Sequence, residues 1–177
     1  MKTLILVVLL AFSATASAFT QPELVALKAA VQADQSAAQC YATGEDGCVL
    51  SFLNSESTFV VWKTSVSAEQ VMSSPEFAWT RVDNLTNGKA RIWDWMIRGS
   101  SGTFNPSNAN IRAGIDAVWV GTAADLAVRA GVYDTCKRVA TVAEKTLATG
   151  TGTTQTPGIL TFEGSVSMQD ILAIRGI

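Results

Sequence analysis

Apolar residues recur at helical spacing along most of the chain. Near its start, Leu24, Leu27 and Val31 fall on one face of a helix that we expect to end near Asp34. The clearest stripe follows the spacing i, i+4, i+7 and i+8 and consists of Ile111, Ile115, Val118 and Trp119. Because this period places apolar side chains on one side of a helix, the pattern predicts a mainly α-helical fold.

Helix starts are marked by capping boxes, in which a Ser or Thr precedes a side chain that can reach back from three residues later. Such pairs are Thr20 with Glu23, Ser67 with Gln70, Thr122 with Asp125, Thr141 with Glu144, and Ser167 with Asp170. We also expect helices over 44–54 and from position 84 or 86 to 98. Residues 59–62 are a strand or an extended segment, and 99–110 form a polar loop.

The pattern changes after Leu147. Residues 148–156 alternate threonine with glycine or other small residues, which favours extended backbone with bends. Pro157 and Gly158 indicate a turn, and residues 159–162 are typical of a strand. We therefore expect residues 19–177 to form one small helical domain with a short C-terminal β-hairpin or an extended arm near 148–164.

The tryptophans raise a packing question. Trp93 and Trp95 lie about 200° apart around one predicted helix, since each residue turns the helix by about 100°. Both rings cannot face one core. Core packing and an interface both remain open for Trp93, and we take Trp93 and Ile97 as interface candidates.

Composition limits the function classes. The chain of 177 residues is 48% hydrophobic and 16% charged, as in globular proteins, and its formal net charge is -2. No run of basic residues could neutralise a row of phosphates, so we expect no sequence-specific nucleic-acid partner. The apolar stretch near the N-terminus is too short to span a bilayer stably.

The sequence contains no histidine, which excludes Ser-His-Asp and Cys-His catalytic pairs. Acidic residues on the predicted helices are better explained as solvated or capping groups than as an acid pair or a metal site: Asp94, Asp116, Asp125, Asp134 and Glu144. The Gly150–Thr151–Gly152 stretch lacks the phosphate-loop pattern. We therefore expect no enzyme and no cofactor; a carboxylate-based, metal-assisted hydrolase is the least favoured alternative.

Three cysteines are present, and an odd number does not make a disulfide framework. Cys40 and Cys48 are close enough in sequence to pair in an oxidising compartment. We favour the other interpretation, in which Cys40, Cys48 and Cys136 are small thiols in a reducing compartment.

Residues 1–18 have the pattern of a secretory signal peptide. Lys2 supplies a positive charge, residues 4–12 are apolar, and Ala16-Ser17-Ala18 has the small-x-small form of a cleavage site. This segment alone favours export, with a mis-set gene start or an apolar packing helix as the alternatives.

Several blocks together resemble a family of tailed-bacteriophage proteins encoded among head and tail morphogenesis genes. The blocks are residues 59–63 (FVVWK), 88–95 (GKARIWDW), 110–115 (NIRAGI), 137–145 (KRVATVAEK), 148–152 (ATGTG) and 162–164 (FEG). The likeness spans roughly residues 22–174 and includes no catalytic signature.

This resemblance implies a non-enzymatic virion protein, with a head–tail connector or neck component as the first expectation. Its partners would be further copies of itself in a ring and other phage structural proteins. The C-terminal arm would reach a neighbour by strand addition, through candidates Thr151, Thr153, Ile159 and Phe162.

The signal-like segment conflicts with this expectation, because phage particles assemble in the host cytoplasm. The alternative is an exported bacterial binding protein with a cleaved signal peptide, located in the periplasm or secreted.

Overall fold

The computed structural model describes residues 19–98 and 102–177. The signal-peptide prediction for residues 1–18 lies outside the described residues, as does the 99–101 part of the predicted polar loop. Within the described ranges the chain is 58% helical, with ten helices and two small antiparallel sheets. The prediction of a mainly α fold is confirmed.

The helices are short and the strands are few. In chain order the elements are α1 (Gln21–Ala33), α2 (Gln35–Thr43), α3 (Asp46–Asn54), β1 (Glu56–Trp62), β2 (Val66–Ser67), α4 (Ala68–Met72), α5 (Trp79–Asp83), α6 (Asn87–Arg98), β3 (Thr103–Phe104), α7 (Ala109–Val118), α8 (Ala123–Thr135), β4 (Lys137–Thr141), α9 (Val142–Leu147) and α10 (Met168–Arg175).

Each predicted capping box is formed at the start of its helix. At α9, for example, the Thr141 hydroxyl accepts from the Glu144 amide and the Glu144 carboxylate accepts from the Thr141 amide. These contacts satisfy amides that have no partner inside the helix, so local sequence is sufficient to fix where these helices begin.

The main sheet joins β1 to β4, which are 75 residues or more apart in sequence. The two strands are antiparallel, with Val60 opposite Val139 and Trp62 opposite Lys137. No local pattern predicted a strand at β4. The pairing confirms that residues 59–62 are a strand. A second, smaller sheet pairs β2 with β3.

Two hydrophobic clusters flank this sheet. We call the first the terminal core, because α1–α3 and α9–α10 supply it: Phe19, Leu24, Leu27, Val31, Ala37, Val49, Leu53, Ala143, Val166, Ile171 and Ile174. We call the second the central core, because all of its residues except Trp62 of β1 lie between β1 and β4 in the sequence. It consists of Trp62, Val66, Val71, Trp93, Phe104, Ile115, Val118, Trp119, Val128, Val132 and Cys136.

Residues 148–164 fold back onto β1 and do not project as a free arm. The Val60 amide donates to the Gly152 carbonyl at 2.8 Å, and the Val60 carbonyl accepts from the Gly158 amide at 2.9 Å. Thr149 and Ile159 close the segment through two 2.9 Å backbone hydrogen bonds. Of the two forms expected for this segment, the structure has a wide hairpin-like loop and not an extended arm.

Glycine explains why this loop can lie so close to the sheet. Gly152 has a φ of +66°, and a Cβ there or at Gly158 would overlap the ring of Phe59. The loop therefore wraps the Phe59 side chain, and the glycines that were expected to allow bends also permit this close packing.

Candidate functional site

Of the two tryptophans on α6, Trp93 faces inward and Trp95 faces outward. Trp93 is 7% exposed, and its ring centre lies 5.1 Å from that of Trp119. Trp95 is 67% exposed, with the Arg91 guanidinium 5.1 Å from its ring centre. The placement of Trp93 at an interface is therefore wrong, because α6 turns its Trp93 side towards α7 and the central core.

Two other interface candidates are mostly internal. Ile97 is half-buried against the central core. Phe162 is half-buried against the terminal core, where its ring meets Phe19 edge-on with centres 4.6 Å apart. Phe162 thus anchors the end of the 148–164 loop to its own chain, which corrects its assignment to a projecting arm.

The remaining candidates, Thr151, Thr153 and Ile159, are exposed on the loop. The Thr151 hydroxyl donates to the Thr156 carbonyl at 3.0 Å, and the Thr153 hydroxyl lies 2.8 Å from that of Thr156. These hydroxyls stabilise the loop tip, while the Ile159 side chain is 40% exposed. Their role in contacts between chains stays a prediction.

The most buried carboxylate belongs to an ion-pair network around Arg138. Its guanidinium donates to both oxygens of Glu144 at 2.6 and 2.8 Å, and to Glu163 at 3.0 Å. Burial alone would raise the pKa of Glu144, but the bonds from Arg138, the Thr141 amide and the Gly164 amide outweigh it and lower that pKa. Glu144 is therefore held ionised as a structural acceptor that fixes the loop end to β4 and α9.

Asp125 has an equivalent arrangement at the start of α8. Arg81 donates to it from Nε at 3.1 Å and from Nη2 at 2.5 Å, and Thr122 donates from its hydroxyl and its amide. These bonds, with the Arg81 contribution largest, lower the pKa of Asp125 from 3.8 to about 2. A carboxyl this acidic is a poor proton donor or acceptor near neutral pH.

The other carboxylates considered from sequence are also ion-paired, although at the surface: Asp94 with Arg98, Asp116 with Arg129, and Asp134 with Lys137. The last two pairs line a surface depression of about 490 Å³ with Leu126, Ala130 and Tyr133. Burial raises the pKa of Tyr133, whose hydroxyl donates to the Arg112 carbonyl. The depression thus offers no unpaired acid or base.

The cysteines differ from the favoured interpretation. Cys40 and Cys48 form a disulfide between α2 and α3, with Cα atoms 6.0 Å apart. The expectation of three free thiols is wrong because the left-handed turn at Gly44 (φ 83°) folds α3 back beside the end of α2. Cys136 is free, and its burial raises the pKa of its thiol to about 12.

Large apolar side chains on the surface were not identified from sequence as a group. Trp79 is 60% exposed and Trp95 is 67% exposed, although aromatic residues of this size are usually covered. The helical wheel of α6 contained the signal for Trp95, since burying Trp93 leaves the residue 200° away in solvent.

Four of the six blocks that carry the phage resemblance are brought together by the fold. Residues 59–63 and 137–145 form the paired strands and α9, residues 148–152 lie along β1, and Glu163 joins Arg138. Four blocks spread over a hundred residues therefore make one structural unit around the β1–β4 sheet.

No protein-family model, no curated protein and no solved structure matches the chain. Within residues 19–98 and 102–177, none of the helices has the length and apolar character needed to cross a membrane.

Proposed function

We propose that this protein is a non-enzymatic structural component of a tailed-phage particle that acts through self-association, as a head–tail connector or neck component. The observation that carries the proposal is a contrast on the surface. The five acidic residues considered for chemistry are held in caps or ion pairs, whereas Trp79 and Trp95 are more than half exposed. Exposed aromatic side chains are typical anchors of protein interfaces.

The convergence of the resembling blocks supports the same proposal. A residue pattern shared for catalysis would be centred on reactive side chains, whereas these blocks meet in backbone pairing and in the Arg138 ion pairs with Glu144 and Glu163. They define a rigid scaffold. A ring subunit needs such a scaffold to hold its contact surfaces at fixed angles to one another.

Self-association is tested with the full chain by sedimentation velocity over a hundredfold range of concentration. The variant Trp95→Glu should shift the protein towards monomer, because it places a charge where an apolar anchor would be desolvated. Glu69→Gln, a change at another exposed helical position, is the matched control. A wild-type chain that stays monomeric at all concentrations would exclude the proposal.

The 148–164 loop is tested separately, by point substitution. Deleting it would strip hydrogen bonds from β1, so loss of assembly would not distinguish misfolding from a lost contact. Ile159→Lys changes an exposed side chain and leaves the loop backbone bonds in place. We expect normal stability and reduced association if the loop contacts a neighbour.

A second candidate function is favoured by one observation, the Cys40–Cys48 disulfide. Disulfides persist mainly in exported proteins, and residues 1–18 resemble a signal peptide. An exported bacterial binding protein would satisfy both. Cell fractionation with N-terminal sequencing separates the candidates: a periplasmic chain that begins at Phe19 supports export, and a particle-bound chain supports the virion role.

A further inference from the structure

We infer that Cys40, Glu45 and Cys48 form a binding site for a thiophilic divalent cation, of which zinc is the type, when the disulfide is reduced. The inference does not depend on the proposed function, since it concerns only the hairpin of α2 and α3. It rests on geometry and on ligand chemistry.

The three side chains converge at the turn between the two helices. Cys40 lies in the last turn of α2, Glu45 is the N-cap residue of α3, and Cys48 is in the first turn of α3. One ligand atom from each, two sulfurs and a carboxylate oxygen, lie within 4.8 Å of one another. The turn therefore brings all three ligand groups to one place, and the two sulfurs, which are bonded to each other in the disulfide, separate on reduction to bind an ion.

The ligand set suits zinc. Thiolate sulfur and carboxylate oxygen are both zinc ligands, and three protein ligands leave the fourth tetrahedral position for water. Access comes from the side of α2, where a surface depression of about 210 Å³ is lined by Ser36, Gln39, Cys40, Thr43 and Glu45. Magnesium and calcium, which prefer oxygen ligands throughout, should not bind here.

Cys136 offers no competing site, because it is fully buried in the central core.

The metal site and the disulfide exclude each other, because both use the sulfur atoms of Cys40 and Cys48. A dithiol reductant supplies two electrons and two protons, which break the S–S bond to give two thiols while the dithiol is oxidised to its own disulfide. Binding of the cation then releases the two thiol protons to solvent, with no change in the oxidation state of zinc. The turn between α2 and α3 is thus held by a covalent bond in an oxidising compartment and by a metal ion in a reducing one.

The test uses the full chain, reduced and freed of reductant under anaerobic conditions, and titrated with cadmium as a spectroscopic substitute for zinc. We expect one equivalent to give cadmium–thiolate charge-transfer absorption, and zinc to displace it. The oxidised protein should give no such band. Cys40→Ser and Cys48→Ser should each abolish tight binding, since one thiolate and one carboxylate remain.

Glu45→Gln tests the third ligand. Loss of even an outer-shell partner costs a metal site roughly 10- to 100-fold in affinity, so loss of this carboxylate should cost about tenfold or more. Glu69→Gln is the matched control and should bind like the wild type. Equal affinity in the two variants would overturn the assignment of Glu45.

The urea-unfolded reduced chain provides the reference for a preformed site. Folded protein should bind cadmium more tightly, because the hairpin already holds the ligands together. Equal affinity in the folded and unfolded chains, or no band from the folded reduced chain, would reject the site as a whole. Circular dichroism of the reduced protein verifies that the helices are intact during the titration.

Discussion

The terminal core is aliphatic and cross-linked, whereas the central core is aromatic and has no cross-link among its described residues. In the first, side chains such as Leu27, Leu53 and Ile171 are fully buried, and the α2–α3 disulfide lies at its edge. In the second, rings from distant elements meet around Trp119. The two regions therefore reach the same degree of burial by different means.

The difference lies in how burial is distributed over residues. The terminal core divides it among many positions, most of which lie on helices. The central core concentrates it in Trp119, whose ring centre lies 5.1 Å from Trp93 and 6.3 Å from Phe77. A core that depends on one large side chain should be more sensitive to a single substitution than a core of many smaller ones.

The largest expected effect is therefore that of Trp119→Ala. Removing a fully buried tryptophan should lower the free energy of unfolding by about 4 kcal/mol, compared with about 3 kcal/mol for Leu27→Ala in the terminal core. Urea denaturation of both variants measures the difference. Trp119→Phe is a useful control: it keeps a ring and removes a buried Nε1 that has no hydrogen-bond partner within the described chain. An equal or greater loss for Leu27→Ala would contradict the comparison.

Removing the disulfide should lower the stability of the terminal core, which would then lack a cross-link, as the central core does. For a sequence separation of 8 between the bonded cysteines, the chain-entropy relation gives about 2.5 kcal/mol of stabilisation. The double variant Cys40→Ser, Cys48→Ser should lose about this much in urea denaturation under oxidising, metal-free conditions. Reductant should destabilise the wild type similarly and leave the variant unchanged. A variant as stable as the oxidised wild type would show that α2 and α3 need no covalent link.

Local signals predicted helix starts in both cores. The capping boxes at Thr20, Thr141 and Ser167 give helix starts because they involve residues only three positions apart. Helix α2 itself was not predicted, although Asp34 caps it through the Ala37 amide, because α2 buries little beyond Ala37 and has no apolar stripe.

Long-range pairing could not be predicted in the same way. The sequence of β4, with Lys137 and Arg138 before Val139, has no clear strand alternation, and the strand exists because β1 pairs with it. The docking of the 148–164 loop likewise depends on Phe59, about 90 positions earlier.

The candidate site shows the same limit. Spacing permitted Cys40 to meet Cys48 but could not establish that the turn at Gly44 brings them together. The helical wheel showed that one of Trp93 and Trp95 must be exposed but not which, since the choice depends on α7 and on Trp119. The partners of Asp125 and Glu144 include arginines on other elements, which no local pattern identifies.

The 148–164 loop, which packs on β1 at the boundary between the two cores, provides a test with a smaller expected effect. Gly152→Ala would force a methyl group against the Phe59 ring and would also strain the backbone at a φ of +66°. We expect a loss of about 2 kcal/mol in the free energy of unfolding, within the usual range for overpacking. Phe59→Ala should weaken that effect in a double-mutant cycle measured by urea denaturation. Additive losses would mean that ring and loop do not pack together.

The smallest expected effect concerns stability at acid pH. It distinguishes the two cores because each has its own buried acidic residues that cap helices. The folded pKa of Asp125, lowered from 3.8 to about 2, contributes stability that is complete above pH 3.8 and is lost as pH falls through about 2. Asp125→Asn should therefore reduce the dependence of thermal stability on pH between about 4 and 2. Asp116→Asn, which changes an exposed ion-paired carboxylate next to the same helix, is the matched control.

Because Asp125 and Arg81 both lie on the central side of the sheet, the first sign of acid unfolding should come from tryptophan fluorescence of that core, before the terminal core loses its helices. A simultaneous change in fluorescence and helical circular dichroism would show instead that the β1–β4 sheet couples the two cores into a single unfolding unit.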